Sequence, residues 1–132
     1  MKDSKNIKIA ISSLPEGGWW NKGIVAYQDN DMMSNGAVPN QSLLQQEHKG
    51  LIEILNKYSL PIEIIPFKKD LEIIKKYDFV FMRDHFLCNV DKDIVMCNMK
   101  LSERMNEGDF VISSLRDLQY NVSFLDDDCI AE

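Results

Sequence analysis

Three ionisable side chains in a row, Arg83, Asp84 and His85, follow directly on the apolar-rich segment YDFVFM, residues 77 to 82. An apolar strand held between packed layers delivers the first polar residues beyond its end to the rim of a sheet, where ligand crevices form in α/β architectures. A carboxylate fixed there suits a flat cation such as guanidinium, because two oxygens accept two parallel N–H bonds. Arg83 and Asp84 face opposite sides of a strand that continues through them, so only one of them meets a common pocket. The competing reading is a rim salt bridge worth less than about 1 kcal/mol. His85 reads as an exposed addition.

Other chemistry-bearing residues are weaker candidates. Cys88, Cys97 and Cys129 form an odd set without C-x-x-C spacing, which points to reduced thiols rather than a zinc or redox motif. A hairpin turn centred between Lys92 and Asp93 would set Cys88 opposite Cys97 and permit a strained cross-strand disulfide. Cys129 stands beside Asp126, Asp127 and Asp128, whose negative charge raises a thiol pKa and opposes nucleophilic use. Three consecutive acids cannot all face one ion from a strand, so they read as a solvated turn. Asp29 and Asp31 do not continue into a calcium loop, since Met33 and Asn35 occupy the following ligand positions. No metal or cofactor is called for.

The elements that must position these residues are legible in part. Ile7, Ile9 and Ile11 alternate with Lys8 and Ala10, a strand with one buried face. The loop LPEGGWW, residues 14 to 20, packs its indoles. A second short strand is expected over Gly23 to Gln28, then a long loop from Asp29 to Asn40. Asn40 or Ser42 caps a helix whose buried stripe is Leu44, His48, Leu51, Leu55 and Tyr58, making His48 a packed structural residue. Pro61 to Phe67 reads as a strand, Asp70 to Tyr77 as a short amphipathic piece and Asp78 to Met82 as a buried strand. Leu87 to Val90 and Ile94 to Cys97 bracket a polar turn as a hairpin. Ser102 to about Tyr120 reads as a helix burying Met105, Phe110, Val111, Leu115 and Leu118, with Gly108 weakening its middle by about 1 kcal/mol. Asn121 to Leu125 closes as a strand. The order suggests an internal repeat of roughly 50 to 60 residues within one α/β domain.

The chain has 132 residues, 45% of them hydrophobic, and a net charge of -6. That is the size of one domain with a real core. The acidic balance argues against non-specific binding to nucleic acid or an anionic membrane. Without an apolar stretch of signal or membrane-span length, the expectation is a soluble, cytoplasmic protein.

The succession "DFVFMRD", a hairpin, then "SERMNE", preceded by "PNQSLLQQEHKGLIEILNKYSLPIEIIPF", resembles the guanidino-group-modifying superfamily, the penteins. Its members include arginine deiminase, dimethylarginine dimethylaminohydrolase and the amidinotransferases, which are hydrolases or transferases acting on arginine-like guanidino compounds. The similarity runs from about Gly36 to Glu132. The resemblance implies a partial α/β propeller, about two ββαβ-type units of a five-unit ring. It implies that Asp84 contacts a substrate guanidinium, that Arg104 meets a substrate carboxylate, and that Arg83 supports the site or a neighbouring loop. The region Asp29 to Asn40 takes the place of a substrate-covering loop. The family's later Glu-Gly-Gly-Asp-like motif, catalytic histidine and nucleophilic cysteine have no counterpart up to Glu132. The implied protein is therefore an amino-terminal part that binds but does not turn over, and that self-associates or pairs with a complementing carboxy-terminal part. A non-catalytic binding or assembly module on the same scaffold is the other reading.

Overall fold

The computed structural model describes residues 8–89, 91 and 93–126. Cys129, Asp127 and Asp128 therefore lie outside the described residues, as does any reading of Glu132. Among the described residues five strands and four α-helices follow in the order β1 (Ile9–Ser12), α1 (Asp31–Ser34), α2 (Gln41–Lys57), β2 (Ile62–Ile65), α3 (Lys69–Ile73), β3 (Phe86–Cys88), β4 (Asp93–Met96), α4 (Glu107–Asp117) and β5 (Asn121–Phe124). Short 3-10 helices occupy Tyr77–Val80, Met82–Asp84 and Ser102–Arg104. The result is a mixed α/β fold with two small open sheets.

In the first sheet β1 and β2 run parallel, Ile9 opposite Ile62 and Ser12 opposite Ile65. Parallel strands need a crossover, and α2 supplies it. Asn40 caps that helix by accepting from the Leu43 N–H at 3.0 Å. Leu44, His48, Ile52 and Leu55 are among its half-buried residues, and His48 Nε2 reaches the Ser12 carbonyl at 2.8 Å. Leu51 and Tyr58, expected inside, are 47% and 69% exposed. The buried stripe is thus one residue out of place at Leu51.

The second sheet has the order β3-β4-β5, with β3 antiparallel and β5 parallel to β4. Phe86 pairs with Met96 and Cys88 with Ile94, while the Cys97 N–H bonds to the His85 carbonyl at 2.8 Å. Cys88 and Cys97 are consequently not opposite each other, and both are free. The tight corner at Asn89, whose Oδ1 accepts from the N–H groups of Asp91 and Asp93, sets a register that excludes the cross-strand disulfide. One buried cluster serves both sheets: Ile65 of β2, Ile94 and Met96 of β4, Val111 and Leu115 of α4, with Phe67, Leu71, Phe79 and Met82 between them.

Three further expectations are corrected. Residues 23–28 form no strand; the segment is irregular and is fastened through Tyr27, whose hydroxyl donates to the Lys75 carbonyl and accepts from the Tyr77 N–H at 2.9 Å. Trp20, Tyr27, Met33 and Tyr77 make a second buried cluster there, and the loop that follows contains α1, capped by Asn30. The expected helix from Ser102 is broken, because Met105 is extended and Asn106 is left-handed at φ 70°. Gly108 then falls in the first turn of α4 instead of its middle, and Met105 is 50% exposed.

The segment Asp78 to Met82 is not a strand. Its N–H groups are consumed locally by three-residue bonds, Phe79 to the Lys76 carbonyl at 3.2 Å, Phe81 to Asp78 at 3.0 Å and Asp84 to Phe81 at 3.1 Å. Side chains in a 3-10 helix repeat every third residue. Phe79, Met82 and His85, spaced by three, lie on the buried side and Phe81 and Asp84 on the outer one, while Asp78, three residues before Phe81, is also buried at 5%.

Candidate functional site

That threefold repeat places Asp84 on the wall of a cleft of about 650 Å³, together with Asp29, Arg83, Leu87, Cys97, Met99, Lys100, Leu101 and Arg104. The three residues singled out in the sequence, Arg83, Asp84 and Arg104, therefore lie on one concavity. Their environments differ. Arg83 is a surface arm, its side chain 88% exposed, with Nε 3.3 Å from Asp84 Oδ1. Arg104 is largely buried and donates from Nη1 to Asp84 Oδ2 at 2.8 Å.

Arg104 is held from behind. Its Nε and Nη2 each donate to Glu107 Oε2 at 3.1 Å, and Nη2 also donates to the Asp78 carbonyl at 3.1 Å. Glu107, in the first turn of α4, has no exposed surface. The His85 ring meets the same Oε2 through Nε2 at 3.0 Å. His85, expected to be exposed, is fully buried, its ring packed 5.2 Å from that of Phe79. It belongs to the interior face of the 3-10 segment, so the sequence neighbour of Asp84 points away from the cleft.

The electrostatics follow from this packing. Burial opposes the charge on Arg104, but its bonds to Asp84 and the charge of Glu107 outweigh that and leave its pKa raised. Asp78 is pushed up to about 6 by burial, partly offset by Arg104 and reinforced by Glu107, Asp29 and Asp84. Its Oδ1, with Nδ1 of His85 and Oε1 of Glu107, has no hydrogen-bond partner among the described residues. Cys97 has its thiol pKa raised by burial first and by Asp84 second. It is the cysteine at the cleft, and its surroundings favour the thiol over the thiolate that nucleophilic attack requires. Among the described residues no three His, Cys, Asp or Glu side chains are arranged to hold a metal ion.

Sequence reasoning did not name Glu107, Cys97 or Lys100 as site residues and took His85 for an exposed addition, whereas Asp29 entered only as the start of the expected covering loop. Glu107 stands three residues after Arg104, and the turn through Met105 and the left-handed Asn106, not a continuous helix, folds the two side chains together. His85 and Glu107 are 22 residues apart, and only the fold brings them together.

Neither a family model nor a curated protein matches the chain. Solved structures do. AgrE in its C264A form with L-arginine aligns at a TM-score of 0.69 and 17% identity, over 93% of this chain and 16% of that one. AgrE in a ternary complex with ornithine and NAD+ aligns at 0.67 and 16% identity, again over 93% and 16% of the two chains. Unliganded AgrE gives 0.67 and 16% over 95% and 17%. The likeness is one of fold. The chain spans about one-sixth of AgrE, the share of that chain covered being 16–17%. No helix of the described residues is long and apolar enough to cross a membrane.

Proposed function

We propose that the chain binds an arginine-like guanidino compound through Asp84, as an amino-terminal portion of a pentein-type C–N hydrolase or amidinotransferase. The observation that carries this reading is the Asp84 carboxylate on the cleft wall, already accepting a guanidinium N–H from Arg104 at 2.8 Å. Its side chain is 31% exposed and each oxygen has one guanidinium partner, Arg104 on Oδ2 and the exposed Arg83 arm on Oδ1, so a ligand cation adds to these bonds or displaces the Arg83 arm. In the same reading Arg104 meets a ligand carboxylate and Arg83, exposed at the rim, supports the site or a neighbouring loop. AgrE, a protein of related fold, has been crystallised with L-arginine, which supports the ligand class.

Binding without turnover is the form of the proposal. The cleft cysteine is held as a thiol and His85 is sealed against Glu107, so neither is placed for attack on a guanidinium carbon or for proton transfer to a leaving amine. Residues 1–132 are read as one domain carrying about two ββαβ-type units of a propeller. The order β3-β4-α4-β5 supports that unit. A soluble, cytoplasmic setting and a guanidino ligand rather than nucleic acid complete it.

Calorimetry with arginine, methylated arginine and agmatine, on the wild type and Asp84→Ala, tests the reading. Heat from at least one compound with the wild type and none with the variant is expected. Silence from all three with the wild type removes it.

An assembly role on the same scaffold is favoured by a separate observation: Leu43, Leu51, Ile54 and Tyr58 of α2 are all 47% or more exposed. Such apolar surface marks an interaction site, occupied by a second copy or by a complementing carboxy-terminal part. Light scattering after size-exclusion chromatography, returning a monomer at high concentration, would count against self-association.

A further inference from the structure

A second concavity, about 290 Å³ in volume, lies beside the first turns of α2 and shares no lining residue with the Asp84 cleft. Trp19, Trp20 and Phe81 line it. The two indoles stand 4.8 Å apart at 59°, and Trp19 meets Phe81 edge-on at 5.7 Å, so the three rings make a folded aromatic wall instead of a flat stack. Trp19 and Phe81 present the accessible ring surface, and the buried Trp20 backs Trp19. Each indole is fixed by its own N–H, Trp19 donating to the Tyr77 carbonyl and Trp20 to the Ala37 carbonyl, both at 2.8 Å. Gln41 adds a clamp, its Oε1 accepting from the Trp19 backbone N–H at 2.8 Å. The wall is therefore set before any ligand arrives, and neither indole has a donor left to offer one. Asn30 and Asn40, also on the wall, spend their side-chain oxygens as caps of α1 and α2.

Glu47 is the single charged residue on this wall among the described residues, with no Lys, Arg or His beside it. It is exposed, and the positions three and four residues away on α2 are Leu43, Leu44, Gly50 and Leu51, so no basic helical neighbour neutralises it. We propose that this pocket is a binding site for a quaternary ammonium head group, seated against Trp19 and Phe81 with Glu47 as its counter-ion. An anion would meet a carboxylate and no cationic side chain. The positive end of the α2 dipole opposes a cation, but it amounts to about half a charge against the full charge of Glu47. A primary ammonium loses the three hydrogen bonds that it makes in water, and the wall supplies no acceptor for them beyond Glu47. A fully methylated nitrogen makes no such bonds, so it forfeits none on leaving water and gains the attraction of the ring faces, strongest for tryptophan. The volume stands at the lower end of small-molecule sites, which suits a compact head group such as that of choline.

Trp19 and Trp20 are the two tryptophans of the chain, so their indole N–H cross-peaks in a heteronuclear NMR spectrum report on this pocket directly. The titration compares choline with the neutral alcohol in which carbon replaces the quaternary nitrogen, on the wild type, Phe81→Leu and Glu47→Gln. Both substitutions fall at exposed positions, and the backbone cross-peaks verify that the variants are folded. Choline is expected to shift the indole peaks saturably and to bind roughly 2- to 25-fold tighter than the alcohol. Phe81→Leu should remove most of that preference, and Glu47→Gln should weaken choline alone by roughly 2- to 5-fold. Equal binding of the two compounds would make the pocket an apolar groove without selectivity for cations and overturns the inference. So does a choline titration that leaves the indole peaks in place, or a preference that survives both substitutions unchanged. None of these outcomes bears on the Asp84 reading, whose residues lie elsewhere.

Discussion

Glu107 receives both Nε and Nη2 of Arg104 at 3.1 Å on a single oxygen, without exposed surface of its own. A buried ion pair contributes little net stability relative to apolar residues, but removing one partner strands the other charge in a low-dielectric interior. Glu107→Ala leaves Arg104 with Asp84 as its one remaining carboxylate partner. It is expected to destabilise the chain by about 3 kcal/mol or more. Glu107→Gln keeps an acceptor oxygen and should cost less. Urea denaturation of the two variants, read against wild type, checks the order; equal small losses would mean that Arg104 is seated by something other than Glu107.

Asp78 gives the protein a pH dependence opposite to that of most carboxylates. Its ordinary value of 3.8 rises to about 6 in the fold, chiefly through burial. Between those values the native chain holds a proton that the unfolded chain has released, so stability falls as pH rises through the window and levels off above about 6. Asp78→Asn removes the charge while keeping the backbone carbonyl that Arg104 uses. The variant should gain on wild type by about 2 kcal/mol at pH 8, with the gain shrinking toward pH 4. Urea midpoints across that range decide it. A gain independent of pH would assign the effect to packing.

How far the sequence reveals this molecule depends on which physical signal each element uses. β1 announces itself through period-two alternation and α2 through helical periodicity and a cap, the capping residue of the two expected being Asn40, while β2 shows in its β-rich composition. Residues 78 to 82 fail because a continuous apolar run carries no period, and the local three-residue bonding that decides its shape is invisible in composition. The same error hid His85: counted as a strand, it lies beyond the end, whereas counted in threes from Phe79 and Met82 it falls inside. Residues 23 to 28 were lost for a different reason. Their side chains are strand-like, but Tyr27 is committed to the backbone around Lys75, a contact 48 residues away. Arg83, Asp84 and Arg104 were named from the sequence, yet their shared cleft and the ion pair within it exist only through the packing of α4 against the 3-10 segment.

The cysteines make a direct check on register and electrostatics. Cys88 is exposed, while Cys97 is half-buried with its thiol pKa raised by burial and then by Asp84. Iodoacetamide at neutral pH should therefore label Cys88 well before Cys97, and Asp84→Asn should speed labelling of Cys97 alone, roughly severalfold given that one pKa unit is tenfold in thiolate. Peptide mass spectrometry separates the sites. Mild oxidation should yield no Cys88–Cys97 bridge within a chain, because Cys88 stands opposite Ile94; finding one in quantity would contradict the hairpin.

Phe79 and Phe81 distinguish the two possible periods of the segment that ends in Asp84. In a strand they share a face, and truncating either would open the same core. In the 3-10 arrangement Phe79 is fully buried, edge-on to Phe67 at 5.7 Å, whereas Phe81 is 40% exposed beside Trp19. Phe79→Ala is expected to cost about 3 to 5 kcal/mol, the range for a large aromatic removed from a packed interior. Phe81→Ala should cost about 1 kcal/mol, as a partly exposed ring has less area to lose. Denaturant melts of both variants measure the difference. Comparable losses at the two positions would restore the strand and undo the threefold spacing that sets Asp84 on the wall of the cleft, so the placement of the candidate site hangs on this inequality.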